Sequence, residues 1–120
     1  MHRKLLGIAA VAGVLLASAA LAHAKLLSAS PADRAQLTEA PKALTLTFAE
    51  AVKLASVAVS SSGHAIPVTI DRAAKAAATV VVPLPPLPPG RYEVRWSAIS
   101  PDDGHVSKGS LAFTVQPEKR

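Results

Sequence analysis

RYEVRWSAISPDDGHVSKGSLAFTV, residues 91–115, is the stretch that decides the fold. Its first part places Tyr92, Val94 and Trp96 on one side and Arg91, Glu93 and Arg95 on the other. Its last part repeats the pattern with Leu111, Phe113 and Val115. A period of two is the signature of a half-buried strand, because successive side chains of an extended backbone point to opposite faces. Between the two runs lie Pro101, Asp102, Asp103 and Gly104, residues that favour turns. Working outward, "KALTLTF" (42–48) alternates Leu44, Leu46 and Phe48 with polar neighbours. "SVAVSSSGHAIPVTI" (56–70) reads as two strands about a Ser/Gly turn, with Val57 and Val59 facing Ile66, Val68 and Ile70. "ATVVVPL" (78–84) is a further strand, and Leu26 and Leu27 belong to a first, edge strand. "PLPPLPPG" (83–90) lacks amide donors at its prolines and is a rigid extended connector. "DRAAKAAA" (71–78) is a loop or a single helical turn. Six or seven short strands with turns at this spacing predict an all-β antiparallel sandwich.

The chain of 120 residues allows one small domain after an N-terminal leader. "MHRKLLGIAAVAGVLLASAALA" (1–22) has a short basic start, an apolar core and an Ala-x-Ala end, the layout of a secretory signal peptide. The competing reading is an uncleaved anchor, since the run from Leu5 to Ala22 is barely long enough to span a bilayer. Cleavage after Ala22 leaves residues 23–120 as the folded domain, with 11 basic against 8 acidic side chains. That excess is spread along the chain and, with so few aromatic residues to stack bases, gives no reason to expect nucleic acid. There is no cysteine, so an exported form folds without disulfides and has no thiolate ligand. Its single methionine is Met1, which leaves with the leader.

The histidines carry the remaining chemistry. His2 departs with the leader, and His64 sits in a hairpin turn where a solvated imidazole is ordinary. Asp103-Gly104-His105 is a D-x-H element: in extended backbone, residues two apart point to the same side and can converge on one ion. Asp-Gly is also an ordinary turn pair, so the element alone is weak. Cleavage after Ala22 changes its weight, because His23 then becomes the first residue. An N-terminal histidine offers its amine and its ring Nδ1 as a chelate. With His105 and Asp103 this makes three nitrogens and one oxygen, a donor set that suits tetragonal copper(II), with zinc or nickel second. Cleavage after Ala24 would discard His23; cleavage after Ala20 would create a terminal copper(II) motif independent of the fold.

Here the sequence resembles the CopC family of exported copper-binding proteins. The resemblance runs through "HAKLLSASPADRAQL", "ALTLTFAEAV" and "LPPGRYEVRWSAISPDDGHVSKGSLAFTV", in order, over the whole chain after the leader. It implies a Greek-key β-sandwich or barrel of about seven strands, similar to immunoglobulin domains and cupredoxins. It implies a Cu(2+) site made by His23 through amine and ring, Asp103 and His105. It also implies that Glu50, of the Phe-x-Glu segment, lies near the ion. One carboxylate leaves cupric copper at net +1; a second beside it would neutralise the charge and orient the ligands. Two departures from the family pattern are plain: the methionine-rich segment of some members is missing, and Val106 stands where proline is common. The choice of Asp103 over Asp102 rests on analogy.

Four filled positions with no sulfur suit holding copper(II) rather than turning it over, since a catalytic metal keeps a position open. The sequence therefore predicts a monomeric, non-enzymatic periplasmic protein for copper sequestration or delivery, with an inner-membrane copper transporter as the partner the resemblance suggests. Two other classes compete. A copper monooxygenase would need exposed aromatic residues to dock sugar rings, and a metal-free structural or adhesive sandwich would explain the strands alone. N-terminal sequencing of the exported protein is expected to begin His-Ala-Lys; a Lys25 start would remove the composite site.

Overall fold

A computed structural model describes residues 25–117. They form seven strands: β1 (Leu26–Ser30), β2 (Ala35–Leu37), β3 (Ala43–Ser61), β4 (His64–Ile66), β5 (Ala77–Pro83), β6 (Gly90–Ile99) and β7 (Val106–Val115). The all-β expectation holds, and no helix forms among the described residues. The leader, its cleavage site and His23 lie outside the described residues. No helix among the described residues is long and apolar enough to cross a membrane.

The organising element is β3, 19 residues long. Its first part, Ala43 to Thr47, lies between β1 and β5; its second part, Lys53 to Ser61, lies between β4 and β6. One strand thus belongs to two layers and curls the sheet upon itself. The change of layer coincides with register shifts between Thr47 and Val52 and between Leu54 and Ser56. Extra residues of this kind bend a strand and increase its twist. The second layer continues β3–β6–β7–β2, with β2 parallel to β7. Asp33 Oδ1 accepts the Ala112 amide at 3.0 Å, and the Arg34 amide donates to the Ala112 carbonyl, so the lead-in to β2 is clamped to β7.

The alternation read from the sequence fills the space between the layers. Leu44, Leu46 and Phe48 of β3 and Val82 of β5 meet Tyr92, Val94 and Trp96 of β6 and Leu111, Phe113 and Val115 of β7. Phe48 stands edge-on to Trp96 with ring centroids 5.2 Å apart, and Tyr92 stacks on Phe113 at 5.4 Å. Each such pair adds about 0.5–1.5 kcal/mol to the burial of its rings. The proline-rich connector between β5 and β6 is pinned by buried Leu87 and by the Tyr92 hydroxyl, which donates to the Pro88 carbonyl. A tyrosine bonded to backbone a few residues upstream recurs at the corners of β-sandwiches. Burial pushes the Tyr92 phenol up from its ordinary value.

Three details differ from the sequence reading. Segments 42–48 and 56–61 are one bent strand rather than two. The strand after the Ser/Gly turn is only His64–Ile66, because Pro67 has no amide to continue the ladder; Val68 and Ile70 pack on the core from loop. The three-residue strand β2 carries too short a pattern to be read.

Trp96 is opposite Gly109 in the β6–β7 ladder, and the indole occupies the space a side chain at 109 would need. A Cβ on Gly109 would fall 2.5 Å from Cζ2 and 2.8 Å from Cε2 of the ring. Gly109→Ala is therefore expected to destabilise the fold by about 1–3 kcal/mol, the usual cost of forcing a packed ring to move. Urea unfolding followed by Trp96 fluorescence measures this.

Candidate metal centre

The strands deliver the candidate residues to one end of the molecule. Ile99 and Val106 are the last paired residues of the β6–β7 ladder, and residues 100–105 close the turn beyond them. The Ser100 amide donates to the His105 carbonyl at 2.9 Å, and the Gly104 amide donates to the Ser100 carbonyl at 2.8 Å. Gly104 has φ +72°, a left-handed conformation that glycine adopts without a Cβ penalty. The sequence Asp-Gly-His is thus suited to reversing the chain between its two polar side chains.

Within this turn Asp103 and His105 meet. Asp103 Oδ1 accepts the His105 amide at 3.1 Å, and Asp103 Oδ2 lies 2.9 Å from His105 Nδ1. Side-chain and then backbone hydrogen bonding to His105 holds the Asp103 carboxyl below the usual carboxylate range. Both side chains are about half exposed, at 51% and 53%. An ion arriving from solvent can therefore reach a carboxylate and an imidazole already side by side. The adjacent Asp102 makes no such bond.

Glu50 reaches this turn from the bend of β3. Ser100 Oγ donates to Glu50 Oε2 at 3.3 Å, linking the β3 bend to the β6–β7 turn. Ser100 is 4% exposed, the one buried polar residue among those described. Sequence reading passed over it, because serine before Pro-Asp-Asp-Gly looks like solvated turn. The start of β1 comes to the same place: the Ala49 amide donates to the Lys25 carbonyl at 2.8 Å, one residue from Glu50. His64 does not join them. It lies at the far end of the second half of β3, opposite Ser61, whereas Lys53 at the near end pairs with Ile99. Among the described residues no three His, Cys, Asp or Glu side chains are grouped to hold a metal.

The curled seven-stranded sheet has counterparts. The CopC domain model matches residues 26–116. The chain belongs to the CopC family. Copper resistance protein C of Pseudomonas syringae pv. tomato is 32% identical over 115 residues, covering 88% of this chain and 90% of that protein. Protein YobA of Escherichia coli K12 is 36% identical over 100 residues, covering 79% and 80%. The crystal structure of CopC from Methylosinus trichosporium OB3b superposes with TM-score 0.68 at 28% identity, covering 82% of this chain and 98% of the other. PcoC of Escherichia coli, a methionine-rich copper resistance protein, gives 0.64 at 27% identity, covering 79% and 100%. CopC proteins are copper-binding resistance proteins and not enzymes. The monooxygenase alternative falls with that membership. The four aromatic rings, Phe48, Tyr92, Trp96 and Phe113, are moreover all buried.

The Asp103–His105 pairing has a direct readout. The Asp103 carboxyl is expected to titrate below a reference aspartate in carbon-detected NMR. In His105→Ala its midpoint should rise, because the side-chain bond that lowers it is gone. An unchanged midpoint would mean that the two side chains do not meet in solution.

Proposed function

We propose that this protein is exported to the periplasm, loses residues 1–22 and binds one cupric ion through His23, Asp103 and His105, with Glu50 beside the site. Its role is to sequester copper(II) or hand it to an inner-membrane transporter, working as a monomer of residues 23–120. The observation that carries this reading is the hydrogen bond from the Ala49 amide to the Lys25 carbonyl. It fixes the beginning of the described chain beside Glu50, which Ser100 ties to the turn holding Asp103 and His105. In this reading His23, two residues earlier in the sequence, is the group that joins them. β1 pairs antiparallel with β3, with Leu26, its first residue, opposite Phe48.

The chemistry agrees with the family. Copper resistance is what the relatives of Pseudomonas and Xanthomonas are named for. Nitrogen and carboxylate donors without sulfur favour copper(II) over copper(I). Asp103 neutralises one charge of the ion and Glu50 the second, so the filled site carries no net charge. Ser100 holds Glu50 in place as an outer partner of the kind that orients metal ligands.

Calorimetry with copper(II) on the processed protein is expected to give one tight site. His23→Ala and His105→Ala should each abolish it or weaken it by more than about 100-fold, and Glu50→Gln should weaken it by about 10–100-fold. Equal binding by wild type and both histidine variants would favour a sandwich whose role does not involve this metal. Binding also has a pH signature. Protons compete for amine and imidazole nitrogens, whose reference values lie between about 6.5 and 8. Affinity should therefore fall by more than about tenfold between pH 7.5 and 5.5, measured by competition titration. Tight binding that persists unchanged into acid would remove the amine from the ligand set.

A further inference from the structure

The outer face of the second layer carries a charge pattern that the copper site does not use. Strand alternation sends Lys53 of β3, Arg95 of β6 and Lys108 of β7 to this face, all exposed. Arg91 and Arg34 join them toward the far end. Arg91 is paired with Glu93 at 2.9 Å, and Arg34 leans on Asp33 at 4.0 Å. Lys53, Arg95 and Lys108 have no ion-pair partner among the described residues. Elsewhere on the described chain, Glu39, Glu50, Asp71, Asp102 and Asp103 outnumber Lys25, Lys42, Arg72 and Lys75. The positive excess of the described protein therefore resides on one sheet face.

The shape of that face narrows what it fits. Arg95 and Lys108 flank a shallow depression of about 570 Å³ lined also by Ser56, Ala58, Ser97, Gly109 and Ser110, with Trp96 reaching its wall beside Gly109. Arg95 also borders a second depression of about 330 Å³, where Arg34 and Arg91 stand beside the carboxylates of Asp33 and Glu93 that they engage. Small side chains leave the sheet surface low, so an extended backbone can lie across it. Arg95 is opposite Ser110, and Ser97 is opposite Lys108, which makes Arg95 and Lys108 diagonal neighbours. Diagonal positions in an antiparallel pair are about 7–8 Å apart, close to the roughly 6.8 Å between alternate side chains of an extended strand. We propose that this face is a docking surface for an extended acidic segment of a partner protein, with alternate carboxylates reaching Arg95 and Lys108. A lipid surface suits it less well. Membrane-binding faces project aromatic or aliphatic groups among their cations, whereas here Arg95 and Lys108 border depressions, and the exposed apolar pair Ile99 and Val106 stands beside Lys53 at the turn end of the face, away from Arg95.

The test needs no copper and is independent of the reading above. Isotope-labelled, metal-stripped processed protein is titrated with a ten-residue peptide of alternating Glu and Ser. Amide shifts are expected at Ser56, Ser97 and Ser110, and binding should weaken by about tenfold or more as salt rises from about 0.05 to 0.3 M. Arg95→Ser with Lys108→Ser should remove binding, while Arg72→Ser with Lys75→Ser should leave it unchanged. A charge-reversed Arg95→Glu, Lys108→Glu protein should instead bind the corresponding Lys and Ser peptide at the same amides. The proposal is overturned by shifts scattered over other faces, by equal loss in both Ser variants, or by no binding. It is equally overturned by binding to vesicles of phosphatidylglycerol and phosphatidylcholine when the peptide does not bind.

Discussion

The bond between the Ala49 amide and the Lys25 carbonyl, at the bend of β3, is the contact on which the turn end of the molecule depends. An edge strand that paired only with the straight part of β3 could leave its start anywhere along the sheet. Here the bend itself holds the start of β1, and the next residue of β3, Glu50, accepts the hydroxyl of buried Ser100. Two polar contacts thus join three chain segments that are remote in sequence: the start of the domain, the middle of β3 and the β6–β7 turn. The energy that makes such contacts dependable comes from elsewhere. Phe48 packs against Trp96 just beneath the bend, and Val52 just beyond it is buried. The bend is fixed by apolar packing, and the polar groups inherit their positions from it.

Much of this was legible in the sequence wherever one face of a strand is buried. Tyr92, Val94 and Trp96, and Leu111, Phe113 and Val115, advertise their orientation because a one-residue slip would turn every apolar side chain to solvent. The path of β3 was not legible for the converse reason. Between Phe48 and Ser56 the register shifts twice, so alternation breaks down where the strand changes layer, and the interruption looks like a loop. β2 escaped because its position is set by Asp33 and Arg34 clamping to Ala112, a contact about 80 residues away along the chain, not by its own pattern. At the site, Asp103 and His105 could be read from residue type and spacing. Ser100 could not: its importance arises from burial, which spacing does not reveal.

Charge is divided between two parts of the same molecule. Glu50, Asp102 and Asp103 gather at the turn end, while Lys53, Arg95 and Lys108 occupy the adjoining sheet face. The division follows from strand geometry. Each strand of the second layer has only one outward side, and Lys53, Arg95 and Lys108 there meet no carboxylate among the described residues. Only Glu93 interrupts the row within the strands, and it is engaged by Arg91.

On the proposed reading, this arrangement keeps the two demands on a metal-carrying protein separate. A site for a dication needs carboxylates, and close lysines or arginines would compete with the ion for them and repel it. Lys53 is the nearest strand cation to the turn, yet it sits on the outer side of the ladder opposite Ile99, whereas Ser100 and Glu50 meet over the core end. At physiological ionic strength, screening over about 8 Å weakens repulsion between exposed charges on different faces. The outer face can therefore be cationic without emptying the site, and the site can be anionic without neutralising the face. A sheet curled on itself provides this separation at no cost in packing, because inside, outside and end are assigned by the strands before any ligand arrives.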